Sequence, residues 1–188
     1  MGTACTVGRS VPLPQCAYDR RRNQYLANAF LALAAQGITH SEGLRTAPSA
    51  GALYPLEVYL VAGRVATLPA GIYRYDPRRH QLVPTVSGDR RRELTLAALH
   101  QSWIADAPAV VVIAAVFRRT STKYGGRGER YVHIEAGHAA ENVCLQAVAL
   151  GLGTTIVGAF SDAEVKRLLG SLRGRAALAH SGREAWVR

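Results

Sequence analysis

Hydrophobic and polar positions along this chain switch between two periods, and the switches mark its elements. "RNQYLANAFLALAAQ" (22–36) arranges strong helix formers around a broad apolar face, with Gly37 standing where a helix cap belongs. "LEVYLVA" (56–62) reads as a strand. "AGIYRYDPRRHQLVPTVSG" (70–88) predicts a hairpin that turns at Asp76-Pro77. "GDRRRELTLAALHQSW" (88–103) predicts one amphipathic helix started by Asp89, and the β-branched run "APAVVVIAAVF" (107–117) predicts a buried central strand. A polar loop is expected over 118–130, then a long helix over 131–152, apolar over most of its surface and therefore buried. A short strand follows at 154–160. The helix "SDAEVKRLLG" carries its own start and stop signals: Ser161 as N-cap, Glu164 as capping-box partner and Gly170 past the end. Hairpin strands mixed with helices favour an α+β class over regular βαβ alternation.

Composition narrows this picture. A chain of 188 residues, 48% of them hydrophobic, suits one domain spanning 1–188 with a real core. No apolar run reaches membrane-spanning length, so no membrane partner is expected. The first residues lack the basic and apolar regions of a secretory signal. Cys5, Cys16 and Cys144 show neither metal-ligand spacing nor a disulfide framework, which fits a cytoplasmic setting. The net charge of +10 is concentrated at the ends, each of which carries four arginines against one acidic residue. Without an aromatic stacking platform or a groove-reading helix, that charge does not predict nucleic-acid binding.

Several chemical motifs fail on spacing. His133 and His138 in "HIEAGH" are five apart, which turns them about 140° from each other on a helix, so they do not form a zinc pair. "GLGTTIVG" follows a helix instead of a strand and misplaces its third glycine, unlike a dinucleotide fingerprint. "YGGRGER" lacks the Lys-Ser/Thr ending of a phosphate loop. No Ser–His–Asp set can be assembled, and no metal is expected.

Four stretches remain: "RTAPSAGALYPLEVY" (45–59), "GIYRYDPRRHQL" (71–82), "KYGGRGERYVHIEAGHAAENVCLQAVALGLG" (123–153) and "VGAF" (157–160). In this order they resemble the nitroreductase-like flavoproteins over about residues 30–170, and most of all the SagB-type branch, which includes dehydrogenases that oxidise azolines in peptides to thiazoles and oxazoles. The resemblance implies an α+β fold around an antiparallel-rich sheet flanked by helices. It also implies an obligate homodimer with FMN in two sites at the subunit interface. The turn Pro48, Ser49, Ala50 and Gly51 would lie against the flavin, commonly reaching it across the dimer: small residues let backbone approach a flat ring, Ser49 can bond its rim, and Pro48 stiffens the approach. Taken alone, the same turn is simply a tight entry to a strand. By the same resemblance, the backbone of Val157, Gly158 and Ala159 would come near the flavin's reactive edge.

Lys123 and Tyr124 match the Lys-Tyr pair of the azoline dehydrogenases, where a desolvated lysine can act as base and the phenol can relay or orient. By residue type alone, Lys123 is equally a solvated loop lysine. Arg127 and Arg130 are candidates for an anion, FMN phosphate or substrate carboxylate, or else for ion pairs with Glu129 or Glu135. Glu135, His138 and Asn142 interrupt the apolar helix and are expected to hold the loop or a partner subunit. Cys144 reads as core.

The ends depart from the family pattern. Arg20, Arg21 and Arg22 in "DRRRNQY" are the nearest candidates for the opening arginines that hold the FMN phosphate, but no serine follows them. No apolar closing strand is visible in "SLRGRAALAHSGREAWVR". The expected activity is hydride transfer between a small-molecule or peptide substrate and FMN, with other subunits of a peptide-modifying complex as partners. The alternatives are an NAD(P)H-dependent nitro or quinone reductase, and a degenerate scaffold subunit without catalysis.

Overall fold

The computed structural model describes residues 4–8, 31–66, 68–170 and 186–187, the first and last of these as backbone strands. One seven-stranded antiparallel sheet organises them: β1 (Ala4–Gly8), β2 (Leu56–Ala62), β3 (Gly71–Asp76), β4 (Gln81–Ser87), β5 (Ala109–Ala115), β6 (Gly153–Val157) and β7 (Trp186–Val187). Its order is β4-β3-β2-β5-β1-β6, and β7 pairs with β5 beyond the end of β1. The hairpin and the central strand stand where the periodicity puts them. A C-terminal strand does exist, contrary to expectation: Trp186 and Val187 pair with Ala114 and Ile113. Two residues are too short for a period to register.

The continuous β-branched run of β5 is explained by burial on both faces. Val111, Ile113 and Ala115 point into one apolar layer, shared with Val132, Ala136, Ala139, Ala140, Val143 and Ala147 of α5 (Arg127–Ala149). Val110 and Val112 point into the other, with Leu94, Ile104, Val165 and Leu169 from the helices of the opposite face. A cavity of about 10 Å³ in that second layer has room for no more than a water.

The helices need more correction than the strands. Of the helix expected over 22–36, residues 31–36 (α1) are described and helical; the rest, with Arg20, Arg21, Arg22 and Cys16, lies outside the described residues. Gly37 is not a left-handed cap. It continues the α1 hydrogen bonding to Leu33, and a Cβ there would collide with the Leu33 side chain and carbonyl. The helix expected over 88–103 is two, α2 (Arg91–Ala97) and α3 (Trp103–Asp106), broken where Leu99 and His100 adopt left-handed φ of 53° and 62°. A straight helix would set Ile104 about 15 Å along the axis from Leu94. The break folds it back into the same apolar layer. Asp89 bonds the Arg91 N–H from just before α2, and its carboxylate holds the Arg91 guanidinium.

The loop expected over 118–130 is mostly helix. Phe117 and Thr120 are buried at the start of α4 (Arg118–Tyr124), which leaves polar side chains on its outer face and hides the apolar signal. Gly125, with φ 57° and ψ −137°, stops α4, and α5 begins at Arg127. A Cβ on Gly128 would lie 2.8 Å from the Ser121 backbone, so that glycine lets the two helices close together. Nor is α5 buried all round: Ile134, Leu145 and Val148 are exposed, the last at 61%. β6 stops at Val157, short of the expected 160. The last helix, α6 (Asp162–Leu168), keeps its predicted signals: Ser161 accepts the Glu164 N–H, and Gly170 is left-handed. Among the described residues no helix is long and apolar enough to cross a membrane.

Candidate functional site

Strand register gathers the motifs at one end of the sheet. Leu56, where β2 begins, pairs with Ala115, where β5 ends. Ala4 pairs with both Val112 and Val157, so β6 ends toward the same side. The chain therefore enters β2 from the Pro48–Gly51 turn, leaves β5 into α4, and leaves β6 into Gly158 and Ala159, all at one edge.

Two of these motifs touch. Gly51 sits at φ 62°, and a Cβ built on it would fall 2.6 Å from the Tyr124 hydroxyl and 3.0 Å from Lys123 Nζ. Residues 123 and 124 are the last of α4, and the capping Gly125 turns the chain away behind them. Lys123 Nζ lies 5.4 Å from the centre of the Tyr124 ring, which meets Tyr131 edge-on at 5.1 Å. Lys123 is exposed in the isolated chain, so the desolvation that the sequence reading asks of it has to come from whatever covers this surface.

The turn itself is strained and braced. Gly51, Ala52 and Tyr54 all have left-handed φ, which costs non-glycine residues energy and persists only where surroundings impose it. The bracing comes from four directions. The Ser49 hydroxyl oxygen accepts the Tyr54 N–H at 2.9 Å. Arg119 of α4 donates to the Tyr54 carbonyl and pairs with Glu57 at 2.6 Å. The Tyr54 hydroxyl accepts the Arg45 N–H, and the Arg45 guanidinium stacks 4.6 Å over the Tyr54 ring while bonding the buried Gln36. Asn142 of α5 reaches the Thr46 carbonyl. Glu135 of α5, close in sequence to the braced segment's partner Asn142, is buried at 3% exposure with its Oε1 lacking any hydrogen-bond partner. Burial pushes its carboxyl up to about 7, against the pull of nearby Ser49 and of the Arg45 charge.

The helix polar residues thus divide. Asn142 holds the turn region, as expected of it; Glu135 is buried with one oxygen unpartnered, and His138 faces outward. Cys144 packs partly buried against the core. Arg127 and Arg130 are exposed and form neither of the ion pairs considered from sequence, with Glu129 or Glu135. Arg130 lines a shallow surface hollow with Gly126, Glu129, His133 and Ile134. Val157 is buried, Gly158 and Ala159 are exposed, and the Ala159 carbonyl is held by the Gln101 side chain at 2.9 Å. No hydrogen bond among the described residues joins 157–159 to the turn or to Lys123–Tyr124, and β1 and β5 stand between β6 and β2. Sequence reasoning missed Gln36, Arg45, Tyr54 and Arg119. The nearest signal was the aromatic within "GALYP".

An antiparallel sheet flanked by helices has counterparts among known proteins. The nitroreductase family model matches residues 23–179, and the chain belongs to that family of oxidoreductases, whose members generally bind flavin. MJ1384 of Methanocaldococcus jannaschii, which carries the nitroreductase name, is 51% identical over 72% of this chain and 69% of its own. The microcin B17-processing protein McbC of Escherichia coli is 27% identical over 66% of this chain and 48% of its own. The trifolitoxin-processing protein TfxB of Rhizobium leguminosarum bv. trifolii is 32% identical over 59% of this chain and 31% of its own. Among solved structures, a protein of Anabaena variabilis that carries the nitroreductase name superposes with a TM-score of 0.74 at 30% identity, over 82% of this chain and 33% of that one. The E. coli microcin synthetase McbBCD complex with truncated pro-MccB17 superposes at 0.67 over 86% and 68%; at 23% identity this likeness speaks to fold alone. The chain spans about half of McbC and about a third of TfxB and of the Anabaena protein.

Proposed function

We propose that this chain is an FMN-dependent oxidoreductase of the SagB type, acting on an organic substrate of the peptide-azoline class as one half of a homodimer. The observation that carries the reading is the contact of Gly51 with Lys123 and Tyr124, two motifs far apart in sequence that meet at one sheet end. The turn suits a flat ring: it offers backbone, one hydroxyl and little side-chain bulk. Pro48, Ser49, Ala50 and Gly51 would hold one side of the flavin ring, and the backbone of Val157, Gly158 and Ala159 another. Arg20, Arg21, Arg22 and Arg127 are the proposed phosphate partners; the first three lie outside the described residues.

FMN, when bound, supplies a two-electron acceptor for hydride. The chain's own residues supply the proton chemistry. Forming an azole from an azoline removes one hydride and one carbon-bound proton, and Lys123 Nζ is the group placed to take the proton as general base. The Tyr124 phenol, propped edge-on by Tyr131, orients the substrate or relays that proton. Oxygen or another acceptor takes the electrons onward. McbC and TfxB, named for processing microcin B17 and trifolitoxin, support a peptide substrate, and the McbBCD complex supports partner subunits. The exposed Ile134, Leu145 and Val148 on α5 support a second copy of the chain as their cover. The nitroreductase name of MJ1384 favours a second reading, reduction of nitro compounds or quinones with NAD(P)H.

The test is the visible spectrum and mass of the purified protein. A flavin spectrum kept through desalting, on a dimer, is the expected result. A colourless monomer whose spectrum and stability do not respond to added FMN would leave a non-catalytic scaffold subunit as the better reading. Given bound flavin, bleaching by NAD(P)H would support the reductase reading, and bleaching by an azoline peptide the dehydrogenase.

A further inference from the structure

A general base works only if it is held still against its substrate, and Lys123 stands at the exposed end of a short helix. α4 has seven residues, and Phe117 and Thr120, which anchor it in the core, both lie at its start. Toward α5 its far end is packed, with Gly128 beside Ser121 and Tyr131 edge-on to Tyr124. Toward the turn, Arg119 makes the only hydrogen bonds from α4 among the described residues. We propose that Arg119 is a positioning residue for the reaction, the latch that sets the Lys123 end of α4 against the Pro48–Gly51 turn. The proposal rests on the base role given to Lys123 above.

Arg119 reaches two acceptors at once. Its Nη2 donates to Glu57 Oε1 of β2 at 2.6 Å, and its Nη1 donates to the Tyr54 carbonyl at 3.3 Å. Glu57 is itself held, because the Tyr59 hydroxyl donates to its other oxygen. A guanidinium can span both acceptors because its donors are fixed in one planar fork, whereas an ammonium is a single point charge. Residues four apart share one face of a helix. The face that carries Arg119 onto Tyr54 therefore also carries Lys123, whose Nζ lies 3.0 Å from where a Gly51 Cβ would stand. The helix thus meets the turn twice, once through Arg119 and once at its end.

Tyr54 is strained in a way that serves this contact. Its φ of 46° is left-handed, a conformation that persists only where surroundings impose it. In it, the N–H goes to Ser49, the hydroxyl takes the Arg45 N–H, and the carbonyl goes to Arg119. The next carbonyl, of Pro55, accepts the Val116 N–H and belongs to the sheet. Arg119 thus ties α4 to the turn at the residue where turn becomes strand. The tie adds little to folding: the Arg119 and Glu57 side chains are 39% and 25% exposed, and ion pairs in that setting contribute little stability. What it protects is alignment, since displacing a reacting group by about 1 Å costs roughly 10²-fold in rate.

The experiment compares wild type, Arg119→Met, Arg119→Lys, Lys123→Ala and the double variant Arg119→Met with Lys123→Ala. It measures the midpoint of thermal unfolding, the dissociation constant for FMN, and the rate at which a saturating synthetic thiazoline peptide bleaches bound flavin without oxygen. Arg119→Met keeps the side-chain stem and loses both bonds. It should bleach about 10- to 100-fold more slowly, the cost of a misplaced base. Its FMN affinity should stay within about threefold of wild type and its midpoint within about 4 °C, as for the loss of an exposed pair. Arg119→Lys, which can keep the Glu57 pair but not both bonds, should fall between. In the Lys123→Ala background, Arg119→Met should change the rate by less than about twofold, because no base is left to align. A purely structural Arg119 would lower the midpoint and leave the rate per bound flavin at the wild-type value. That outcome overturns the proposal, as does an equal rate loss with and without Lys123. If Arg119→Met does not fold, Arg119→Lys with and without Lys123→Ala decides. A flavin-loaded wild type that the peptide does not bleach overturns the azoline reading, and Lys123→Ala as fast as wild type overturns the base; either takes the latch with it.

Discussion

Two approaches to the same end of the sheet are built in opposite ways. The Pro48–Tyr54 turn holds three residues in left-handed backbone and ties them down with Ser49, Arg45 and Arg119. The Val157–Ala159 exit has no left-handed residue, leaves open space around Gly158, and is fixed chiefly through one bond from Gln101. The turn is thus shaped before anything binds, while the strand exit only leaves room. A surface that must fit a rigid plate gains from the first design, since the cost of ordering it is met in folding instead of in binding.

Gly51→Val attacks the braced side and should have the largest effect. Left-handed backbone costs a side-chain-bearing residue roughly 1–2 kcal/mol, and more when it is β-branched. The new atoms would also meet the Tyr124 hydroxyl, the end of a ring held against Tyr131. The expected outcome is a folded, destabilised protein that no longer retains flavin after desalting. Normal flavin occupancy would move the site away from this turn.

Lys123→Ala tests the chemistry carried on the same side without its strain. Lys123 is exposed, so folding and bound flavin should be unaffected. Turnover of the hydride-donating substrate should fall about 10²- to 10⁴-fold, the usual worth of a general base. Unchanged turnover would remove the proposed base and return Lys123 to the solvated lysine that its residue type suggests.

The contrast also explains what could be read in advance. β2, β3, β4 and β5 announce themselves because side-chain alternation and a two-face-buried run are local signals, and the α6 cap is local too: Ser161, Glu164 and Gly170 sit within one short segment. Helix α4 was hidden because only Phe117 and Thr120 are buried near its start, so it carries no apolar stripe. The break between α2 and α3 was hidden because the left-handed residues that make it are Leu99 and His100, which carry no turn signal of the kind glycine or proline would. At the site, small residues and a Lys-Tyr pair are visible as a motif. The bracing is not, because Gln36, Arg45, Tyr54, Arg119 and Asn142 come from four separate elements and connections and meet only in three dimensions. Asn142 gave one hint, as a polar residue inside an apolar helical run, and Tyr54 another, as the aromatic within "GALYP".

Gly158→Ala makes the finest comparison of the two approaches. At Gly51 an added methyl meets the Tyr124 hydroxyl and Lys123 Nζ, but at Gly158 it meets nothing within 4 Å, and Gly158 is not left-handed. The chain alone gives no reason for a glycine there. The stability of the flavin-free protein should therefore change by less than about 0.5 kcal/mol. If the ring lies against this exit, the methyl occupies the space that backbone needs for close approach, and FMN binding should weaken while the flavin-free protein stays as stable as before. Unchanged FMN affinity would place the ring away from β6, and would leave the strained turn as the only approach that the cofactor uses.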